Sequence, residues 1–172
     1  MDNDLLFYNT TADEMTFEDV FTHLVQFIKS DPQNFYRMAI GTDSQVHPHG
    51  TKFITSIHLH RIGKGVWGCL KKEIIPRRIT SLKEKIYLET MYSQEVAAQF
   101  TEDHITRLIE LLIPHADHGA DLAFEVHLDI GKKGKTKYLI DEMTEQILAI
   151  GLQPKIKPNS YAASSYANKY TK

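Results

Sequence analysis
Three strand-like runs follow one another with only loops between them, and helical and strand-like stretches then follow as far as the C-terminus. The runs span about Tyr36 to Gln45, Lys52 to Ile62 and Val66 to Ile75. A loop containing Pro48 and Gly50 links the first two, and Gly63-Lys64-Gly65 reads as a hairpin turn between the second and third. Helical patterning follows from Ser81 to about Glu102, then a second helical stretch from Glu102 or Asp103 that stops before Pro114. Ala120 to Ile130 reads as a strand, Thr136 to Ile150 as a helix closed by Gly151, Leu152 to Lys157 as a short strand, and Ser160 to Tyr170 as a terminal helix. This order predicts an α/β fold, a mixed five-stranded sheet flanked by helices.

Upstream of the first strand, Thr16 is placed to cap a helix with Asp19 at the third position after it, and Phe17, Val20, Phe21, Leu24 and Phe27-Ile28 form one apolar stripe. Asp31-Pro32 ends that helix. A chain of 172 residues, 42% of them hydrophobic and 24% charged, fits one globular domain. No repeat, low-complexity tract or interdomain linker divides it, so residues 1–172 are read as a single domain. The lone cysteine, Cys69, excludes an intrachain disulfide framework and is expected to be a buried small hydrophobe. No signal-like or long uncharged segment is present, and a reducing cytoplasm is the expected location.

Two of the strand-like runs end in an aspartate set among small or polar residues: Gly41-Thr42-Asp43-Ser44-Gln45 and His127-Leu128-Asp129-Ile130-Gly131. Either one alone is an ordinary turn aspartate. Together they suggest a carboxylate site for a hard cation such as Mg²⁺, which takes one or two protein carboxylates and completes its shell with water and substrate phosphate. In the helix after the third strand, Leu82, Ile86, Val96 and Phe100 share a stripe whose intervening members are Glu89 and Ser93. That spacing aims Glu89 inward or leaves it at the stripe's margin, and a buried carboxylate needs a cation or hydrogen-bond partner to offset its desolvation.

A net charge of -2 argues against a protein that coats polyanions indiscriminately. The cations are nevertheless clustered, with Lys71, Lys72, Arg77 and Arg78 in one segment and Lys132, Lys133, Lys135 and Lys137 in another. Lys155, Lys157, Lys169 and Lys172 lie in a tail that has no acid after Glu145. Such runs form either a basic face or plain solvated surface. Gly134-Lys135-Thr136 imitates the end of a phosphate-binding loop, but the motif needs a glycine where Asp129 stands. The pairs His47 and His49, His58 and His60, and the group His115, Asp117 and His118 lack the spacing and cysteine partners usual for zinc.

The element order and acids resemble the ribonuclease H-like superfamily. The segments around Asp43 and Asp129, with Gly134-Lys135-Thr136-Lys137 and Lys157-Pro158-Asn159-Ser160-Tyr161-Ala162-Ala163-Ser164-Ser165, resemble its YkuK-type family from about Arg37 to the C-terminus. Residues 1–35 would then be an N-terminal helical addition. The resemblance implies a four-acid site for two divalent ions, Mg²⁺ or Mn²⁺, with Asp43, Glu89 and Asp129 as three ligands and a fourth on the terminal helix. Here Tyr166-Ala167-Asn168-Lys169 puts Asn168 at that fourth place, so a carbonyl ligand remains and a charge is lost. The implied activity is phosphodiester hydrolysis of nucleic acid, with Lys135 and Lys169 contacting phosphate. A noncatalytic nucleic-acid-binding or protein-interaction module with a degenerate site is the competing expectation, and a nucleotide-binding protein using the Gly134-Lys135-Thr136 turn is a third.

Overall fold
The computed structural model describes residues 6–157, 159 and 160. The elements run α1 (Phe17–Ser30), β1 (Phe35–His47), β2 (Gly50–Arg61), β3 (Val66–Ile75), α2 (Leu82–Ala98), α3 (Glu102–Leu112), β4 (Asp121–Gly131), α4 (Ile140–Ala149) and β5 (Gln153–Lys157). The five strands form one sheet in the order β3-β2-β1-β4-β5. β1, β2 and β3 pair antiparallel as consecutive hairpins, and β4 and β5 add in parallel on the other side of β1. The α/β fold with a mixed five-stranded sheet and an N-terminal helix is thus the one read from the sequence.

Strand alternation divides the sheet into two unlike faces. Tyr36, Met38 and Ile40 of β1, Ile57 and Leu59 of β2, Cys69 of β3, and Val126 and Leu128 of β4 join the main core with Val20, Phe21 and Leu24 of α1, Leu108 of α3 and Met143 of α4. The Cys69 thiol is fully buried there, which pushes its pKa up. α1 begins with the Thr16–Asp19 capping box and ends where Arg61 donates to the Phe27 carbonyl at 2.6 Å and to the Tyr36 hydroxyl at 2.8 Å. An arginine from the sheet therefore satisfies one of the helix's terminal carbonyls and fixes the helix against the strands.

The opposite face is more polar. Ser56, His58, Glu125 and His127 are buried there, His127 sharing a 2.9 Å hydrogen bond with Glu125, and Arg37 lies 3.4 Å from Glu125. Burial lowers the His58 pKa to about 4, helped by His60 and His127. An unfolded histidine binds its proton near pH 6.5, so the folded state holds fewer protons between these values and loses stability as pH falls through them. The loss is on the order of 3 kcal/mol by pH 4. Thermal melts between pH 7 and pH 4 should show it, with a shallower decline in His58→Gln.

Two segments depart from the sequence reading. The helix expected to run from Thr136 to Ile150 instead starts with a 3-10 turn, Lys137–Leu139, and becomes α-helical only at Ile140. Thr136 caps neither, and its hydroxyl accepts from the Gly131 amide at 3.4 Å while Gly134 takes φ 96°, holding this stretch as a loop. The helix expected to stop before Pro114 ends at Leu112 but passes into a 3-10 turn, Ile113–His118. Pro114 lies in the first turn of that element, where its missing N–H costs nothing. The terminal helix expected from Ser160 to Tyr170, with Asn168 and Lys169, falls outside the described residues apart from Ser160.

Candidate metal centre
The three acids singled out in the sequence come together. One carboxylate oxygen from each of Asp43, Glu89 and Asp129 lies within 4.8 Å of the others, the only such grouping of three or more acid, histidine or cysteine ligands among the described residues. Register explains the two aspartates. The last parallel pair between β1 and β4 is Gly41 with His127, and two residues further on each strand stand Asp43 and Asp129. Residues two apart share a face, so parallel pairing carries both carboxylates to one level just past the point where β1 and β4 stop pairing.

Glu89 reaches this point from α2. Thr42, next to Asp43, shares a 2.7 Å hydrogen bond with Ser93 and a 2.9 Å hydrogen bond with Thr55, all three hydroxyls being buried. Ser93 is four residues after Glu89, on the same side of the helix. The hydroxyl chain therefore pins to β1 the helical face that carries Glu89. Ile86, Thr90 and Val96 bury beside it, which is the inward stripe the spacing allowed.

The negative charge of the cluster is offset only in part, by Lys157 beside Asp129 and by Lys85. Glu89 is only 7% exposed, and its Oε2 is buried without a hydrogen-bond partner among the described residues. Its pKa is raised well above the usual carboxylate value, first by burial and then by the charges of Asp129 and Asp43, while Lys85 and Lys157 oppose the rise. Two carboxylates at such separations repel by about 3 kcal/mol at an effective dielectric near 20. A cavity of about 10 Å³, bordered by Thr42, Glu89, Ser93 and Asp129, adjoins the group. That is about the space one water molecule needs. Three hard oxygen donors, one of them buried and unpartnered, fit a divalent cation of the Mg²⁺ class.

Sequence reading missed Lys157. Its ammonium lies 2.8 Å from Asp129 Oδ1, and the lysine pairs in the sheet with Gly131, just past Asp129. The signal was its place at the end of β5, which becomes informative only once β5 is known to lie beside β4. Lys135 is exposed in the loop after β4, with Lys132, Lys133 and Lys137 exposed around it. Gly134-Lys135-Thr136 leads into a three-residue 3-10 turn rather than an α-helix, so it lacks the helix N-terminus of a phosphate-binding loop.

Comparison with known proteins agrees with this architecture. A family model described as Ribonuclease H-like matches residues 19–172. That match starts within α1, upstream of the Arg37 boundary suggested by the motifs. A relative from Bacillus subtilis (strain 168), named "Uncharacterized protein YkuK", is 56% identical over 172 residues, covering 100% of both chains. No solved structure matches the chain. The chain therefore belongs to the ribonuclease H-like family, and to the YkuK-type group within it.

Proposed function
We propose that the protein is a nuclease that hydrolyses phosphodiester bonds in nucleic acid with the help of Mg²⁺ or Mn²⁺. The observation that carries this reading is the convergence of Asp43, Glu89 and Asp129 around a buried carboxylate oxygen that lacks a partner among the described residues. A divalent ion bound there would supply Lewis-acid polarisation of a phosphoryl oxygen and make a water molecule more acidic. Asp43 and Asp129 present oxygens from sheet strands, and Glu89 completes the set once it gives up its proton. Lys157 holds Asp129 in place through its ammonium group and leaves half of its own side chain exposed. Lys135, in the exposed loop after β4, is suited to neutralising a substrate phosphate, and Lys169 is assigned the same role from sequence.

Incubation of the full chain with labelled RNA, DNA and hybrid duplexes, with Mn²⁺ or Mg²⁺ and in parallel with EDTA, tests the proposal. Metal-dependent cleavage of at least one substrate is expected. Binding without cleavage of any of them would favour the noncatalytic nucleic-acid-binding module, and cleavage undiminished in EDTA would exclude the metal mechanism.

Asn168 enters through its sequence position. An amide in place of a carboxylate removes a full charge from a site whose affinity for a hard dication depends on charge count. Asn168→Asp should therefore tighten a second Mn²⁺ by about tenfold and raise the cleavage rate. Calorimetric titration of both proteins with Mn²⁺ checks this. Unchanged stoichiometry and affinity would remove Asn168 from the site.

A further inference from the structure
The aspartates stand just past the point where β1 and β4 stop pairing, and exposed cations flank them on two sides. On one side is the lysine loop 132–137. On the other, a cleft of about 380 Å³ opens at the β1–β2 hairpin, bordered by His47, Pro48, His49, Lys52, Lys72 and Ile74. The register places this cleft relative to the acids. Asp43 pairs with Ile54, and Ile54 with Lys72, so Asp43 and Lys72 stand in one row across three strands. Directly paired residues share a face, and two strand spacings separate the backbones of Asp43 and Lys72 by about 10 Å. The next row on that face runs Gln45, Lys52, Ile74.

The basic segment 71–78 is not uniformly available. Lys71 is 4% exposed, lies 3.2 Å from Glu73 and faces the helices, and Arg77 pairs with Glu84. Lys72 is exposed and Lys52 half-buried, and neither ion-pairs with an acid among the described residues. Two lysines with two histidine rings, without an acid partner in a concave site, are complementary to an anionic chain and not to a cationic or apolar one. The separation from Asp43 is also that of a polymer. At a rise of about 3.4 Å per nucleotide, a strand seated at the carboxylates and crossing the sheet towards β3 reaches Lys72 within about three nucleotides.

We infer that the β1–β2 hairpin cleft is a backbone-phosphate subsite, in which Lys52 and Lys72 hold the nucleic-acid strand a few nucleotides from the bond at the carboxylates, with His47 and His49 as additional hydrogen-bonding groups. The assignment deepens the nuclease reading and rests on it for the identity of the bound strand. Phosphate contacts of this kind fix register and carry no sequence information.

Fluorescence anisotropy of the full chain with labelled single-stranded and duplex oligonucleotides in EDTA, over a range of salt concentrations, tests the subsite apart from cleavage. Lys52→Gln/Lys72→Gln should weaken binding about tenfold at low salt. It should also reduce the slope of log affinity against log salt by about 1.4 for single strands or 1.8 for duplex. The charge-reversed pair Lys52→Glu/Lys72→Glu should weaken binding further. Mn²⁺ affinity and melting temperature should remain those of the parent in the neutral pair, which separates a lost contact from a lost fold. Parental affinity and salt slope in both double variants, or no oligonucleotide binding by the parent, would overturn the subsite. Lysine-dependent binding without cleavage under any metal condition would retain the subsite and reject the nuclease reading.

Discussion

Asp43→Asn and Asp129→Asn are each expected to lower metal-dependent cleavage by about 10²–10³-fold, the range seen when a group that stabilises developing charge is removed. Both substitutions keep side-chain shape and remove a charge. The two carboxylates converge with Glu89 within 4.8 Å, so each loss also leaves fewer anionic oxygens for a hard cation. Folding should survive, because both aspartates are partly exposed and the variants relieve repulsion within the cluster. Single-turnover cleavage at saturating Mn²⁺, with melting curves of the same preparations, measures both effects. Two folded variants that cleave like the parent would remove these aspartates from the chemistry.

Glu89→Gln is expected to act in opposite directions on stability and on metal binding. In the parent, burial and the neighbouring aspartates raise the Glu89 pKa well above 4.5. The unfolded chain releases this proton near pH 4.5, whereas the folded chain keeps it to higher pH. Stability is therefore lost as pH rises from the unfolded value through the folded one. A neutral amide of the same shape removes that loss. The metal-free variant should be more stable than the parent at pH 8, on the order of 1–3 kcal/mol, the usual cost of a buried polar group left unsatisfied. That corresponds to roughly 2–4 °C of melting temperature per kcal/mol for a chain of this size. The two proteins should converge towards pH 4, and Mn²⁺ affinity should fall at least tenfold in the variant. Melts with and without Mn²⁺ at both pH values check the pattern. A destabilised Glu89→Gln protein at pH 8 without metal would mean that the Glu89 carboxylate has a stabilising partner.

The sheet was legible in the sequence because its strands are separated by strong turn signals, and because the order of hairpins and helices restricts the topology. Asp43 and Asp129 could be recognised at strand ends, and Glu89 could be recognised because helical spacing put an acid among Ile86, Val96 and Phe100. What makes these three a group is tertiary. Pairing of Gly41 with His127 sets the aspartates level, and the Thr42–Ser93 hydrogen bond sets the turn of α2 that supplies the glutamate.

Other features depended on contacts that a linear pattern does not contain. Lys157 reaches Asp129 because β5 lies beside β4, and Lys72 shares a row with Asp43 through Ile54. The run Lys71, Lys72, Arg77 and Arg78 looked uniform in sequence, yet strand alternation buries Lys71 and exposes Lys72. The late start of α4 followed from Thr136 engaging the Gly131 amide, a local competition that helical periodicity does not register.

Anomalous diffraction from crystals of the full chain soaked in Mn²⁺ tests the carboxylate centre most directly. A Mn²⁺ peak bonded to oxygens of Asp43, Glu89 and Asp129, and absent from Asp129→Asn crystals soaked in the same way, is the predicted result. A fully soaked crystal with no peak among these three residues, or with its Mn²⁺ bound only elsewhere, would contradict it.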